Sequence, residues 1–243
     1  MKEKIAILRK WLCEAEYAVA FTGAGVSTDS GLTDFRGASG VYKRGTGYDV
    51  PAEEILSPGF YESRPADFFD FYRTRLLDLS ADPNYIHYAM ADMEAKGLLK
   101  CVITQNADNL HQRAGSRNVI DFHGNVYDNI CPKCGRAFHP SAVADCEGIP
   151  YCDCGGIIRP GILLFDEIPD MHKVMALVKE LNRADLLIVA GTSLKVSSAH
   201  RLLKNYRGKM VILNLDPTPY DDRATLVIND KLRPIFEELW PIT

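Results

Sequence analysis

The chain has 243 residues, of which 47% are hydrophobic and 25% are charged, so it can bury a full core and is not disordered in bulk. Its 28 Lys and Arg residues stand against 32 Asp and Glu residues, and the net charge of −4 argues against a nucleic-acid binder that works by bulk basicity. No apolar run approaches the roughly 18–20 residues of a membrane span, and the charged first residues do not resemble a secretory signal. We therefore expect a cytoplasmic, globular protein of one or two domains that binds neither nucleic acid nor membranes, with its oligomeric state left open.

Helical and strand-like segments alternate along the chain. Apolar residues at helical spacing predict helices over residues 2–16, 66–79, 84–96, 171–183 and near 198–206. Short apolar runs predict buried strands at 18–21, 99–104, 119–122, 186–190 and 210–213, with a further short apolar run at 162–165. Residues 32–65 have no clean period and predict a long loop or a small cap. Almost continuously apolar strands that alternate with helices indicate an α/β fold with a parallel sheet covered on both faces.

Small and amide-bearing residues follow four of the predicted strands. These segments are Gly23–Ser27, Gln105–Asp108, Gly191–Ser193 and Asn214–Asp216. In open α/β sheets the loops at the carboxyl ends of the strands converge and bind ligands, and such residues suit a nucleotide. Gly23 and Gly25 would let backbone amides approach a pyrophosphate. A dehydrogenase is disfavoured, because Thr28 occupies the third glycine position of the dinucleotide-binding fingerprint.

Two cysteine pairs lie close together in the second half of the chain. Cys131 and Cys134 form a Cys-x-x-Cys pair followed by glycine, and Cys152 and Cys154 form a second pair. Four thiolates arranged in this way can close a tetrahedral zinc site. The alternative is a cluster of reduced thiols without metal.

The other cysteines and most histidines have no motif around them. No glycine follows Cys146, which we interpret as a bystander, and Cys13 and Cys101 are expected to be small buried hydrophobes. His111 is expected to brace the loop after Asp108. The histidines interpreted as surface or packing residues are His87, His139, His172 and His200.

Together, several motifs resemble the sirtuin family of NAD-dependent protein deacylases. They occur in family order and comprise Gly23–Ser27, Ser30–Gly37, Thr104–His111, Phe122–Asn125, the four-cysteine segment, Gly191–Leu194 and Asn214–Thr218. The resemblance implies a Rossmann-like parallel sheet with a smaller helical plus zinc-ribbon domain, and consumption of NAD as a co-substrate. It places the Rossmann-like domain at 1–36, 76–125 and 157–243, and the smaller domain at 37–75 and 126–156.

The resemblance also implies roles for individual residues. In the family's reaction the acyl-lysine amide oxygen attacks the ribose carbon that carries nicotinamide, and a base then activates a ribose hydroxyl. His123 resembles that base, since imidazole titrates near neutrality, and Asn106 resembles the amide that orients ribose and water. The residues that resemble NAD contacts are Gly23, Ala24, Gly25, Ser27, Asp34, Phe35, Arg36, Gln105, Asn106, Asp108, His123, Gly191, Thr192, Ser193, Asn214, Leu215 and Asp216. Leu163 and Phe165 belong to the loop that resembles the family's contact with the substrate backbone.

A Tyr-x-x-Arg pair bears on the acyl group. Tyr72 and Arg75 are three residues apart on a predicted helix and therefore share a face. Sirtuins that remove succinyl and malonyl groups have such a pair, with a small residue in the position of Ala38. A guanidinium grips a carboxylate with two hydrogen bonds, so we expect removal of succinyl or malonyl groups besides acetyl groups. The alternative is that Arg75 is a solvated helix charge.

Three positions depart from the family pattern, and two other functions compete with deacylation. Thr33 replaces a usual proline, Ala107 a usual isoleucine or valine, and Asp166 a usual glycine. One competitor is a mono-ADP-ribosyltransferase, which the presence of His123 disfavours. The other is a non-enzymatic zinc- or NAD-binding adaptor, which the complete set of Asn106, Asp108 and His123 disfavours.

Overall fold

A computed structural model of the chain describes residues 1–34, 40, 45–195 and 203–242. Within these residues the strands are β1 (Ala18–Thr22), β2 (Leu99–Thr104), β3 (Val119–Asp121), β4 (Asn129–Ile130), β5 (Ala137–Phe138), β6 (Leu186–Ala190), β7 (Lys209–Leu213) and β8 (Leu226–Ile228). Six of them form a parallel sheet in the order β3-β2-β1-β6-β7-β8, while β4 and β5 form a separate antiparallel ladder. The predicted α/β fold with a parallel sheet is confirmed.

Helices cover both faces of the sheet. The described helices are α1 (Lys2–Glu14), α2 (Ala52–Ile55), α3 (Pro58–Ser63), α4 (Pro65–Arg75), α5 (Tyr85–Ala95), α6 (Leu110–Arg113), α7 (Ser141–Ala144), α8 (Met171–Arg183) and α9 (Leu232–Leu239). Apolar residues of α1, α5 and α9 share one core with the sheet, and those of α8 share the core on the opposite face. Among the described helices, none has the length and apolar character to cross a bilayer.

The central strand β1 shows why the strands read as continuous apolar runs. Ala18 and Ala20 belong to the core on one face, and Val19 and Phe21 to the core on the other. Side chains of a strand alternate between the two faces, so a strand covered on both sides has no solvent-facing positions. All five residues of β1 are buried.

The predicted elements agree with the structure where they are long or fully apolar. The bounds of β2, β6 and α8 are those predicted, and α1, α4 and α5 end within a few residues of them. The segment 32–65, predicted as a loop or cap, contains the short helices α2 and α3. The strand β8 and the helix α9 were not predicted, and the apolar run 162–165 is no strand, since only Ile162 forms a bridge, with Gly124. The predicted helix near 198–206 falls largely outside the described residues.

A third apolar core lies apart from the sheet. It joins the helices α2, α3 and α4 to the cysteine segment, with Phe68, Phe69 and Phe71 packed in one cluster with Val126 and Val143. Phe68 and Phe69 also make an edge-to-face contact, with ring centroids 5.2 Å apart. This is the smaller helical and cysteine-containing part expected from the sequence, while its exact boundaries stay a prediction.

Candidate functional site

The carboxyl ends of five neighbouring strands line up at one edge of the sheet. Thr22 at the end of β1 pairs in register with Thr104 of β2 and Ala190 of β6, and the register continues to Asp121 of β3 and Leu213 of β7. The chain crosses over at β1, which has β2 on one side and β6 on the other, and open α/β sheets bind ligands outside the carboxyl ends of the strands at such a point. The structure therefore brings the four predicted loop segments to one edge.

Glycines allow two of these loops to touch backbone to backbone. The Gly25 amide donates to the Gly191 carbonyl oxygen at 2.8 Å. A Cβ on Gly25 would lie 2.7 Å from the Gly191 Cα, and a Cβ on Gly23 would lie 2.7 Å from the Thr192 Cβ. Gly191 also has a φ of 63°, which favours glycine. These glycines serve the close packing of the loops, and Ala24 lies between them.

The Ser27 hydroxyl is the centre of a hydrogen-bond cluster. It donates to Asp108 Oδ2 at 2.7 Å and accepts from Asn106 Nδ2 at 3.0 Å. The His87 Nε2 atom lies 3.3 Å from the same oxygen. Asp108 Oδ1 in turn accepts from the backbone amide of Leu110 at 3.0 Å. The carboxylate and the amide are thus held in place from the loops after both β1 and β2.

His87 donates a hydrogen bond to Ser27, a contact that its sequence context does not indicate. The Asn84 backbone amide donates to His87 Nδ1 at 3.2 Å, so the ring proton lies on Nε2 and is donated to Ser27. Burial lowers the pKa of His87 to about 4, although Asp108 acts in the opposite direction. The ring is fully buried, as a packing role requires. The expectation of a mere surface or packing residue misses the bond to Ser27.

The other histidines without a motif are more ordinary. His111 Nε2 lies 3.0 Å from Thr22 Oγ1, and its ring packs edge-on against His87 with centroids 4.8 Å apart. Burial lowers the pKa of His111 well below its usual range. His139 and His172 are exposed, as expected, and His200 lies outside the described residues.

His123 presents one ring nitrogen to the crevice region while the other is fixed. Its Nδ1 donates to the backbone oxygen of Gln105 at 3.1 Å, which leaves Nε2 unprotonated in the neutral ring. Among the described residues, no hydrogen-bond partner of Nε2 is found. Burial lowers the pKa of His123, and the bond to Gln105 opposes this effect. The ring is therefore neutral at neutral pH and can accept a proton at Nε2.

The loop from residue 161 to residue 167 is bonded directly to the His123 turn. The Leu163 amide donates to the His123 carbonyl oxygen at 2.8 Å, and the Asn125 amide donates to the Gly161 oxygen at 2.9 Å. Further on, the Phe165 amide donates to the Leu56 oxygen at 2.8 Å. The loop thus connects the histidine to the helical part of the smaller core.

The remaining predicted contacts lie along the same sheet edge or outside the described residues. Gln105 Nε2 donates to Thr192 Oγ1 at 2.9 Å, and Asn214 Nδ2 donates to the Asp216 oxygen at 2.7 Å. Leu215, between them in sequence, is 61% exposed and offers an apolar surface. Ser193 and Asp34 are half-buried. Phe35, Arg36 and Ala38 lie outside the described residues.

The side chains of the four predicted metal ligands lie close together. The Sγ atoms of Cys131 and Cys154 are 3.5 Å apart, those of Cys134 and Cys152 are 3.6 Å apart, and all four lie within 4.8 Å of one another. A tetrahedral zinc ion with bonds of about 2.3 Å places its sulfurs about 3.8 Å apart, so the thiolate set fits Zn²⁺.

The three cysteines outside the cluster differ from one another. Cys146 is half-buried and donates to the Glu147 carbonyl oxygen, in agreement with its interpretation as a bystander. Cys101 is buried in β2, as expected. The expectation for Cys13 is wrong, because it is exposed on α1, away from the helix face formed by Ile5, Leu8 and Leu12.

The two residues of the Tyr-x-x-Arg pair differ in burial. Tyr72 is 1% exposed and stacks on Phe68 with ring centroids 6.0 Å apart, whereas Arg75, at the end of α4, is exposed. The Tyr72 hydroxyl is buried and has no hydrogen-bond partner among the described residues. Phe68 and Phe71 are buried, as the sequence predicts.

Comparisons with known proteins decide the family. A profile described as "Sir2 family" matches residues 23–198, which is more than half of the chain. The NAD-dependent protein deacetylase of Cutibacterium acnes is 46% identical over 226 residues and covers 93% of both chains. That of Clostridium acetobutylicum is 42% identical over 238 residues, with 97% of both chains covered. The chain belongs to the Sir2 family of NAD-dependent protein deacetylases.

Solved sirtuin structures share the whole fold. A Sir2 structure with a p53 peptide and NAD⁺ superimposes with a TM-score of 0.86 at 35% identity, covering 97% of this chain and 96% of the other. A Sir2 variant with a deacetylated p53 peptide and 3'-O-acetyl ADP-ribose gives a TM-score of 0.88 at 36% identity, with the same coverage. This sirtuin is therefore an enzyme, and its fold corresponds to that of Sir2 structures that hold a p53 peptide and NAD⁺.

His87→Phe tests the expectation that Ser27 and Asp108 contact NAD, and we expect it to weaken NAD binding. The change removes the donor that holds Ser27, and through it Asp108, and a lost buried hydrogen bond costs about 1–3 kcal/mol. We expect the KM for NAD to rise roughly 5- to 100-fold, more than kcat falls, in steady-state assays. The matched control is His172→Phe at an exposed position. An unchanged KM for NAD in a folded His87→Phe variant would show that Ser27 and Asp108 do not depend on His87.

Proposed function

We propose that the chain deacylates lysine side chains of proteins with NAD as co-substrate, releasing nicotinamide, O-acyl-ADP-ribose and free lysine. The observation that carries this proposal is His123, whose Nδ1 is fixed by the Gln105 oxygen while Nε2 is left free and neutral. A neutral imidazole beside a nucleotide crevice is suited to act as a general base. The family relationship and the cluster around Ser27 support the same function.

The residues at the sheet edge fit a dinucleotide. Loops packed closely through Gly23, Gly25 and Gly191 meet at the end of the sheet, and the exposed Leu215 offers an apolar surface for a base. Asp108 and Asn106, held by Ser27, would bind the amide and hydroxyl groups of the nicotinamide ribose end. When bound, NAD supplies a ribose carbon whose nicotinamide is a leaving group.

His123 would then handle the proton of the second half-reaction. Its free Nε2 can accept a proton from a ribose hydroxyl, and the bond from Nδ1 to the Gln105 oxygen stabilises the resulting imidazolium. Transfer of the acyl group to the ribose needs this proton acceptor, whereas release of nicotinamide from NAD does not.

A direct assay tests the function. The chain is incubated with NAD and an acetyl-lysine peptide, and nicotinamide and deacetylated peptide are measured by mass. Equal amounts of both products are expected. Nicotinamide release with an ADP-ribosylated protein and an intact acetyl group would instead indicate the transferase, and no release would indicate an adaptor.

We further propose that the acyl groups include the acidic succinyl and malonyl groups. The buried Tyr72 hydroxyl has no partner among the described residues, and such an orphan group costs about 1–3 kcal/mol unless something satisfies it. A carboxylate on the acyl chain would accept its hydrogen bond. Arg75, exposed three residues later, would supply the compensating charge.

Arg75→Met should separate the two classes of substrate. We expect turnover of a succinyl-lysine peptide to fall by roughly tenfold or more, since a charge-assisted hydrogen bond contributes about 1.5–3 kcal/mol, with little change for acetyl-lysine. Arg207→Met, at another exposed arginine, is the matched control. Equal losses on both peptides, or no succinyl turnover by the unaltered enzyme, would contradict the proposal while leaving deacetylation intact.

A further inference from the structure

We propose that Asp121 is a positioning residue for His123. Asp121 is the last residue of β3, and its carboxylate fixes the turn 121–125, which contains His123, against α6. It acts on the reaction only through the placement of the His123 ring. This inference rests on the proposed deacylase function, in which His123 is the general base.

Two hydrogen bonds to Asp121 close the turn around His123. The Gly124 amide donates to the Asp121 carbonyl oxygen at 3.1 Å, and Asn125 Nδ2 donates to Asp121 Oδ2 at 3.1 Å. Gly124 has a φ of 83°, a conformation that favours glycine, so the chain reverses directly after His123. The backbone that carries the histidine is therefore bonded to Asp121 through both its main chain and its side chain.

The same carboxylate bonds the turn to α6. Gln112 Nε2 donates to both carboxylate oxygens of Asp121 at 2.9 Å. A parallel bond joins Asn125 Nδ2 to Oδ1 of Asn109, the residue directly before α6, at 2.9 Å. Both ends of the turn therefore contact the segment 109–112 through side chains.

The bonds that place His123 come from one stretch of chain. The ring donates from Nδ1 to the Gln105 carbonyl oxygen, and the turn is bonded through Asp121 to Gln112. Two of the predicted NAD contacts lie between these points in the sequence. A general base acts only within hydrogen-bond reach of the proton that it accepts. Bonds at both ends of this stretch fix His123 relative to those contacts, as that requirement demands.

A carboxylate suits this position because it only accepts hydrogen bonds when it is ionised. Its oxygens receive the amide groups of Gln112 and Asn125, and an ionised carboxylate has lone pairs for both. Burial raises the pKa of Asp121, whereas the bonds from Asn125 and Gln112 lower it. Among the nearby charges, Lys173 lowers this pKa and Asp128 raises it. The two amide groups thus favour the form in which both oxygens accept.

Gln112→Met tests this contact without changing the carboxylate. Gln112 Oε1 is buried and has no hydrogen-bond partner among the described residues, so the change removes the side-chain bonds to Asp121. We expect kcat for deacetylation of an acetyl-lysine peptide to fall about fivefold, and about tenfold in Asp121→Ala, since small displacements of a catalytic group lower the rate steeply. Exchange of labelled nicotinamide into NAD, measured with the same peptide, should change less than about twofold because it does not need the base. A purely structural role would lower both rates in equal proportion.

A double-mutant cycle and a matched control complete the test. Because both changes act through one contact, Asp121→Ala combined with Gln112→Met should lower kcat no further than Asp121→Ala alone. Asp128→Ala makes the same change at an exposed position near the turn and should keep both rates. If Asp121→Ala does not fold, the ratio of deacetylation to exchange in Gln112→Met decides.

Three results would overturn the inference: equal losses of deacetylation and exchange, additive effects in the cycle, or unchanged deacetylation in the variants. Absence of deacetylation by the unaltered enzyme would overturn the proposed function, and this inference with it.

Discussion

His123→Ala is expected to lower the rate of lysine deacetylation about 10²- to 10⁴-fold, the contribution of a well-placed general base. The variant removes the only proton acceptor that the described site offers at this position, while the Gln105 oxygen that held Nδ1 becomes free to bind water. Binding of NAD should weaken far less than the rate falls, because the cluster of Ser27, Asn106 and Asp108 does not depend on His123. Exchange of labelled nicotinamide into NAD, which needs only the first step, should persist.

The pH dependence of the unaltered enzyme gives a second readout. The base acts in its neutral form, and burial lowers its pKa below the ordinary value of 6.5. The midpoint of the acid limb of the pH–activity profile should therefore lie below pH 6.5, as His123 becomes protonated. The residual activity of His123→Ala should not show this decline at low pH. His139→Ala, at an exposed histidine, should behave as wild type. An acid limb with its midpoint above pH 6.5, or full activity of His123→Ala, would show that another group is the base.

Cys152→Ser is expected to abolish zinc binding and to destabilise the whole smaller core. Cys152 is 4% exposed and Cys131 is fully buried, and both belong to the same apolar cluster as Phe68 and Phe69. Loss of the metal would leave the sulfurs of Cys131 and Cys154 3.5 Å apart and would remove the shared ion that joins the two cysteine pairs. We expect the midpoint of thermal unfolding to fall by roughly 10 °C, with metal content measured on the same samples.

The sequence offers a matched control for this experiment. Cys146→Ser makes the same chemical change in the same segment, but Cys146 lies outside the four-cysteine cluster. This variant should keep one zinc ion per chain and unfold at the wild-type temperature. Prolonged treatment with a chelator should reproduce the Cys152→Ser effect in the wild-type protein. If both cysteine variants bind zinc equally, the cluster is not the metal site.

Sequence patterns predict the strands and helices that are long enough to show a continuous apolar run or a regular helical period. The strands β2 and β6 are covered on both faces, so their apolar runs have clear ends, and α8 has a regular apolar face. By contrast β8 has three residues, and α2 and α3 have four and six, which is too short for a period to emerge. Cys13 shows a further limit, because its residue type alone favours burial, whereas its place directly after Leu12 puts it off the buried face of α1.

The site was predictable where it follows strand ends, and not where it depends on contacts across the fold. Ser27, Asn106 and Asp108 stand directly after predicted strands. His87 lies within α5 and reaches Ser27 across the core over 60 residues of sequence, a distance that no local pattern encodes. The one sequence feature that bears on His87 is Asn84, the N-cap of α5. The Asn84 backbone amide bonds to the His87 ring and so fixes its orientation.

The register of Thr22 with Thr104 and Ala190 has a consequence for the order of folding. Gln105 bonds backward to Thr22 across 83 residues and forward to Thr192 across 87, so the crevice closes only when three distant stretches have met. Such long-range pairing makes folding slow, since each loop closure costs entropy before any contact repays it. During synthesis β1 is made before β2 and long before β6, the two strands that pair with its opposite edges. A nascent chain that ends before residue 192 therefore has most of its site residues but no site.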